Sequence, residues 1–219
     1  MTGESRALGA EAIGTFALVL FGCGAIMVDA EGGRLGQVGI SVAFGLVVMA
    51  MVFALGHVSG AHINPAVTIA LAFRRRFPWS SVPGYVAAQV AGAVAAAVVL
   101  RASLGDVADL GATMPSGSDG QSFVWEVVMT AALLVVIVAA VTDARAALGG
   151  AAIAIGGTIA LASLVGGPIS GASLNPARSL GPALVSGELG SLWIYLTAPV
   201  LGGLLGALAY DGVRASPPP

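Results

Sequence analysis

Charged residues are scarce in this chain of 219 residues: 9% of the sequence is charged and 57% is hydrophobic. A soluble domain usually carries about 25% charged residues, and so few cannot cover a water-facing surface. Lysine is absent and the nine basic residues are scattered arginines apart from one run of three, which gives no case for a nucleic-acid partner. The single cysteine, Cys23, excludes an intrachain disulfide. The composition therefore predicts a chain that lies in a lipid bilayer.

Long apolar runs recur along the sequence. A helix needs about 20 mostly apolar residues to cross the hydrocarbon core of a bilayer. Six segments meet this requirement: Ala7–Val28, Gln37–Gly56, Val82–Leu100, Phe123–Val141, Ala151–Gly167 and Leu192–Tyr210. Two stretches, Pro65–Phe73 and Pro176–Val185, are too short to span and follow breaks rich in Gly and Ser. We predict that they are half-length helices entering from loops, which a bilayer tolerates where the broken backbone is buried or faces water.

The loops on the two sides of these spans differ in charge. Cytoplasmic loops are enriched in Lys and Arg. One side carries Arg6, Arg74, Arg75, Arg76, Arg145 and Arg214, whereas the loops of the other carry only Arg34 and Arg101 besides acidic residues. Because an even number of spans places both ends of the chain on one side, we expect both termini in the cytoplasm.

The two halves of the sequence repeat one another. Ser59, Gly60, Asn64, Pro65 and Ala66 recur at the same spacing as Ser170, Gly171, Asn175, Pro176 and Ala177. Each half contains three spans, so the two copies are inserted in opposite orientations, an arrangement that places the functional site near the midplane. We predict one transmembrane channel domain over residues 1–219, with inverted repeats at about 1–101 and 122–219 and a polar linker at 102–121.

An Asn-Pro-Ala motif begins each short stretch: Asn64, Pro65, Ala66 and Asn175, Pro176, Ala177. Asn can cap a helix and Pro fits its first position, so a single copy indicates only a helix start. Two copies in equivalent places of an apolar repeat indicate more, because an Asn amide facing lipid would be costly. We predict that both Asn side chains offer N–H donors to a water-filled pore. The positive ends of the two half-helices would converge there and repel cations and protons.

Ionisable residues are rare within the predicted membrane segments. Arg178 directly follows the second Asn-Pro-Ala motif, and intramembrane charges usually face a water-filled cavity. The alternative for Arg178 is a side chain that snorkels to headgroups. Glu11 and Glu126 occupy equivalent places in the two halves; they could relay protons in a transporter. We favour a structural role in which each accepts loop backbone N–H groups, because no second carboxylate or His accompanies them in the spans.

Metal and enzyme sites have little support in the sequence. His57 and His62 have no nearby Cys, Asp or Glu to complete a zinc set, so we expect no metal or other cofactor. No Ser-His-acid set accompanies the motifs, and neither Asn-Pro-Ala copy offers a nucleophile, so we expect no enzyme.

The extended motifs Ser59–Thr68 and Ser170–Ser179 resemble the paired signature of the aquaporins, and the likeness spans nearly the whole chain. The resemblance implies an all-α membrane protein: six transmembrane helices and two re-entrant half-helices in an inverted repeat, assembled as a homotetramer in membrane lipid. It implies passive flow of water without ions or protons. It also implies that the backbone carbonyls of Gly60, Ala61 and His62 contact permeant molecules, and that a selectivity filter is formed by Phe44, Ser163, Ala172 and Arg178.

Two filter positions depart from the family's strict water channels, which typically have His in place of Ser163 and Thr or Cys in place of Ala172. The pattern of the glycerol channels fits no better. Ser179, Ala183, Tyr195 and Leu196 are instead similar to the plant nodulin-like branch, which passes small neutral solutes and metalloid hydroxides. The resemblance implies a water channel that also passes glycerol, boric acid or arsenous acid, with a strictly water-selective channel as the alternative.

Two rival classes stay open. A secondary active transporter is the main one, since inverted repeats and broken helices occur there too, although it would need a coupling site. A purely structural membrane protein would leave the two Asn residues and Arg178 without a reason to be buried. The expected location is the inner (cell) membrane of a bacterium.

Overall fold

The computed structural model describes residues 3–142 and 148–213, so that Arg145 and Arg214, which entered the charge argument, lie outside it. Within these residues the chain forms eight α-helices: α1 (Gly3–Gly32), α2 (Gly36–Ser59), α3 (Pro65–Phe73), α4 (Val82–Leu104), α5 (Asp119–Thr142), α6 (Leu148–Ser170), α7 (Pro176–Ser186) and α8 (Leu192–Val213). Two 3-10 turns, Trp79–Ser81 and Ala108–Gly111, precede α4 and α5.

Six of these helices, all except α3 and α7, are long and apolar enough to cross a membrane. The two exceptions have 9 and 11 residues. The predicted all-α fold with six spans and two half-helices is therefore confirmed. The long helices extend past the predicted apolar runs, and α1 covers Gly3–Gly32 rather than Ala7–Val28. Hydropathy marks only the part of a helix that lies in hydrocarbon, whereas backbone hydrogen bonding continues into its polar ends.

The helices of the two halves pack in equivalent pairs. Helix α1 lies against α2 and α4, just as α5 lies against α6 and α8, and α2 packs against α6 where the halves meet. Gly45 and Gly156 lie against each other in the α2–α6 contact: a Cβ on Gly45 would lie 2.8 Å from the carbonyl oxygen of Gly156, and a Cβ on Gly156 would lie 2.5 Å from that of Gly45. Small residues of this kind let helix backbones approach closely in lipid.

Each half-helix starts at its Asn-Pro pair. The side-chain oxygen of Asn64 accepts the backbone N–H of Ala66 at 2.8 Å, and that of Asn175 accepts the N–H of Ala177 at 3.0 Å. Pro65 and Pro176 are the first helical residues, where their missing N–H costs nothing. Helix α3 packs against α8 and helix α7 against α4, so each half-helix is held by the last helix of the other half.

The segment between the halves does more than connect them. After α4 ends at Leu104, the turn Ala108–Gly111 packs against α1 and α7. The sequence predicted a polar, glycine-containing linker at 102–121, and such a stretch shows no pattern that indicates packing. Its middle part folds over the second half-helix and contributes to the site.

Candidate functional site

A cavity of about 720 Å³ passes between the two halves of the bundle. Its lining follows α2 from Phe44 to Gly56 and α6 from Ser163 back to Ala151. At 1.5 Å per helical residue this lining is roughly 18 Å long. Both re-entrant loops, which connect α2 to α3 and α6 to α7, also line it. The cavity therefore extends along about half of the length of α2 and α6.

Glu11 of α1 holds the first re-entrant loop. Its carboxylate accepts the backbone N–H groups of His62 at 2.9 Å and Ile63 at 2.6 Å, together with the hydroxyl of Ser59 at 2.7 Å. Ala61 and Ile63 have φ angles of 46° and 44°, a region that costs a residue with a Cβ about 1 to 2 kcal/mol. The carboxylate stabilises this backbone by satisfying N–H groups that the loop itself leaves unpaired.

The second loop repeats the arrangement around Glu126 of α5. Glu126 accepts the backbone N–H groups of Ser173 and Leu174, both at 2.8 Å, and the hydroxyl of Ser170 at 2.8 Å. Ala172 and Leu174 again have positive φ angles, of 43° and 54°. The two carboxylates therefore occupy equivalent places, and each accepts three hydrogen bonds from its own loop.

The carbonyl oxygens of the first loop differ from its N–H groups in their hydrogen bonding. Gly60, Ala61 and His62 line the cavity, and within the described part of the chain no donor contacts their carbonyl oxygens. A carbonyl without a protein donor in a lining segment is an acceptor that water or a hydroxyl compound can use. The arrangement therefore offers hydrogen bonds to a molecule inside the cavity.

The two Asn side chains connect the loops to each other. The amide nitrogen of Asn64 donates to the carbonyl of Leu174 at 2.7 Å, and that of Asn175 donates to the carbonyl of Ile63 at 2.8 Å. Sequence reasoning assigned both N–H groups of each amide to the pore. The structure uses one of them to connect the half-helices, which leaves one N–H of each Asn for the cavity that both residues line.

The side chains of Phe44, Ser163, Ala172 and Arg178 all line this cavity. Arg178 is only 1% exposed. Its Nη1 donates to the carbonyl of Gly111 at 2.8 Å, and its Cζ lies 5.1 Å from the centroid of the Phe44 ring. Its Nε and Nη2 atoms have no hydrogen-bond partner among the described residues. Two donor atoms of the buried guanidinium therefore have no protein partner among the described residues, in the part of the molecule where Phe44, Ser163 and Ala172 also line the cavity.

The hydroxyl of Ser163 belongs to a small polar group on α2 and α6. Ser41 Oγ lies 3.1 Å from Ser163 Oγ, and Gln37 donates its amide to the carbonyl of Ser163 at 2.6 Å. Neither Gln37 nor Ser41 was singled out from the sequence. Their signal was polarity within an apolar helix, which indicates that a partner exists but not which one.

A second polar group lies behind the first loop. Gln89 of α4 donates its amide to Glu11 at 2.7 Å and to the hydroxyl of Thr68 at 3.0 Å, and His62 Nδ1 lies 3.1 Å from the same hydroxyl. His62 also packs edge-on against Phe77. In the second half, hydroxyls replace this arrangement: Ser179 lies 2.5 Å from Ser173 and accepts from Thr113 at 2.7 Å. Sequence reasoning missed Gln89 and Thr113.

Metal ligands do not gather around the cavity. Within residues 3–142 and 148–213, no three His, Cys, Asp or Glu side chains come close enough together to hold a metal ion. His57 is exposed near the end of α2, whereas His62 is buried in the first loop.

Comparison with known proteins finds one family. A model of the family described as Major intrinsic protein matches residues 2–210. Over 207 residues the chain is 49% identical to Aquaporin NIP1-1 of Oryza sativa subsp. japonica, covering 94% of this chain and 73% of that protein. It is 46% identical over 212 residues to Nodulin-26 of Glycine max, covering 96% of this chain and 78% of that protein. Among solved structures, the aquaglyceroporin from Plasmodium falciparum matches with a TM-score of 0.88 at 26% identity, with 96% of each chain covered.

Proposed function

Since this chain belongs to the major intrinsic protein family and forms a membrane channel for water and small solutes, we propose that its filter admits glycerol, boric acid and arsenous acid as well as water. Its relatives include nodulin-26-type aquaporins, as the sequence motifs predicted. Members of the family are channels rather than enzymes.

The observation that carries the proposal is the set of side chains around Arg178. Ser163 and Ala172 are small and line the cavity. The resemblance to the family implies that strict water channels carry larger residues at these two positions. Arg178 contributes two unpaired donors, and Ser163 contributes a hydroxyl. A neutral polyhydroxy molecule can accept from the guanidinium and exchange a hydrogen bond with the hydroxyl while its carbon or metalloid atom faces Phe44.

The other proposed pore residues line the same cavity. Asn64 and Asn175 supply one amide N–H each at the junction of the half-helices, and the carbonyls of Gly60, Ala61 and His62 supply acceptors. The N-terminal ends of α3 and α7 meet at this junction, so their positive ends repel cations. Together with the buried charge of Arg178, this makes the channel impermeable to ions and protons.

Glu11 and Glu126 act as structural supports in this proposal. Each carboxylate accepts three hydrogen bonds from its own loop, and neither lines the cavity, so neither contacts a permeant molecule. A secondary transporter needs such an exchange or an ion site. Solute uptake that depends on a proton or sodium gradient would contradict the channel mechanism.

The decisive experiment is stopped-flow light scattering of proteoliposomes that contain the purified protein. An impermeant osmolyte measures water flux, and gradients of glycerol and boric acid measure re-swelling. We expect fast water flux followed by re-swelling in both solutes. Fast water flux with no re-swelling above protein-free vesicles would show a strictly water-selective channel, and no increase in any flux would contradict the proposal altogether.

A matched pair of variants tests whether the filter residues determine which solutes pass. Ser163→Phe places a ring in the cavity, and we expect it to lower glycerol and boric acid flux to the level of protein-free vesicles. Leu161→Phe introduces the same residue on the same helix at a position that is 66% exposed. It should leave every flux unchanged, because it changes only the outer surface of the bundle.

Assembly and placement in the membrane complete the proposal. We propose one channel domain per chain, four chains in a homotetramer, and a cell membrane with both termini in the cytoplasm. The run Arg74–Arg76, at the end of α3, supports this orientation. The two sequence relatives reported above are plant proteins and the similar solved structure is from Plasmodium falciparum, so they give no support to the expectation of a bacterial host. Chemical crosslinking in native membranes tests the tetramer, and protease access to a terminal tag in sealed vesicles tests the orientation.

A further inference from the structure

Gly22 of α1 lies directly behind the aromatic wall of the cavity. A Cβ on Gly22 would lie 2.5 Å from Cδ1 and 2.6 Å from Cζ of the Phe44 ring, and it would overlap Cε1 as well. Side-chain carbons essentially never approach this closely. Gly22 is buried and is not part of the cavity lining. The ring of Phe44 therefore rests on the backbone of α1, in space that only a glycine leaves empty.

A ring pushed away from α1 has to move towards the cavity that Phe44 lines. Arg178 lies over this ring, with its Cζ 5.1 Å from the ring centroid. Its guanidinium is fixed by the carbonyl of Gly111, and a Cβ on Gly111 would lie only 2.8 Å from the Cβ of Cys23, the residue after Gly22. The helix segment Gly22–Cys23 thus contacts both the Phe44 ring and the turn residue, Gly111, whose carbonyl accepts from Arg178.

We infer that Gly22 is a specificity-determining residue of the channel: by letting the Phe44 ring rest on α1, it keeps the filter wide enough for solutes larger than water. Gly22 touches no permeant molecule and acts through Phe44 as a positioning residue. The inference rests on the proposed function, because it assumes that Phe44 and Arg178 bound the narrow part of the channel.

The expected effect is selective. A shift of the ring by the size of one methyl group obstructs glycerol more than water, since glycerol is the larger molecule. One methyl group in a fitted site changes discrimination about tenfold or more. We expect Gly22→Ala to lower the ratio of glycerol to water permeability about tenfold, while water flux per channel falls much less.

The experiment measures this ratio in proteoliposomes for Gly22→Ala and for Gly9→Ala. Gly9 lies on the same helix, and a Cβ there would meet nothing within 4 Å. The same Gly22→Ala change is also made in chains that carry Phe44→Leu or Phe44→Ala. If Gly22 acts through the side chain at position 44, the effect of Gly22→Ala on the ratio is largest with the native phenylalanine there, smaller with leucine and absent with alanine.

The Phe44→Leu and Phe44→Ala backgrounds allow the test even if Gly22→Ala alone does not assemble. Their smaller side chains at position 44 relieve the overlap with the methyl group added at position 22. A larger effect of Gly22→Ala with leucine than with alanine at position 44 then supports the inference. Equal effects of Gly22→Ala in every background, or no effect in any, would overturn it. Absence of glycerol flux in the unmodified protein would instead contradict the proposed function, so the two failures are distinguishable.

Discussion

The side-chain amide of Asn64 donates a hydrogen bond of 2.7 Å to the backbone carbonyl of Leu174, a residue of the opposite re-entrant loop. Asn175 returns the same bond to Ile63 at 2.8 Å. Each Asn also caps its own half-helix, so one side chain serves the local helix and the opposite half at once. Neither loop can shift without breaking a bond that belongs to the other.

Replacing Asn64 separates these two roles. Asn64→Ala removes the helix cap, at about 1 kcal/mol, and leaves the buried Leu174 carbonyl unpaired, at about 1 to 3 kcal/mol. Asn64→Ser retains a capping oxygen but cannot reach across, so it should cost about 1 kcal/mol less. The free energy of unfolding in an SDS titration of reconstituted protein measures both. Equal losses for Ala and Ser would show that the cap contributes nothing.

The second prediction concerns the role of Arg178 in excluding ions. Arg178→Ala removes the buried charge that faces Phe44 and enlarges the filter. We expect the variant to admit protons and potassium, which the unmodified channel excludes, and to raise glycerol flux about tenfold. A pH-sensitive dye inside proteoliposomes, with a potassium diffusion potential across the membrane, reports the leak.

The control for this prediction is Arg101→Ala. Arg101 is exposed, pairs with Asp106 and does not line the cavity. Its loss should leave ion and solute flux unchanged. If proteoliposomes with Arg178→Ala remain impermeable to protons and potassium, the guanidinium is not needed to exclude these ions. The half-helices alone would then account for the exclusion.

Local rules explain which features the sequence could predict. Asn64 and Pro65 indicate the start of a half-helix, because capping depends on neighbouring residues alone. The contact between Arg178 and Gly111 could not be predicted, since it joins a helix to a polar segment far away in the chain. Gln89 illustrates the intermediate case. A buried amide in an apolar helix requires a partner, but its bond to Glu11 depends on how two helices pack.

Glu11 gives a prediction about loop support. In Glu11→Gln, an NH2 group replaces one of two oxygens that each face loop donors, so at least one buried N–H loses its acceptor. The cost should be about 1 to 3 kcal/mol in the SDS titration. Glu4→Gln, at an exposed position of the same helix, should cost nothing measurable. An unchanged unfolding free energy combined with loss of gradient-driven uptake would favour the proton relay of a transporter over structural support.

The contact between α2 and α6 yields a prediction on packing, because adjacent glycines of α6 differ in their surroundings. A Cβ on Gly156 would lie 2.5 Å from the carbonyl oxygen of Gly45 and 2.8 Å from the Cβ of Met49, whereas a Cβ on Gly157 would meet nothing within 4 Å. Neither neighbour of Gly156 is the flexible end of a side chain, so the helices themselves must separate.

Gly156→Ala should therefore reduce the free energy of unfolding by about 1 to 3 kcal/mol, the usual cost of overpacking a well-packed contact. Gly157→Ala adds the same methyl group one residue later and should be neutral or slightly stabilising, because alanine is the better helix former. SDS titrations of the two variants, side by side, measure the difference. Equal unfolding free energies for both would mean that α2 and α6 can separate at little cost in free energy. The close approach of Gly45 to Gly156 would then not hold the two halves together.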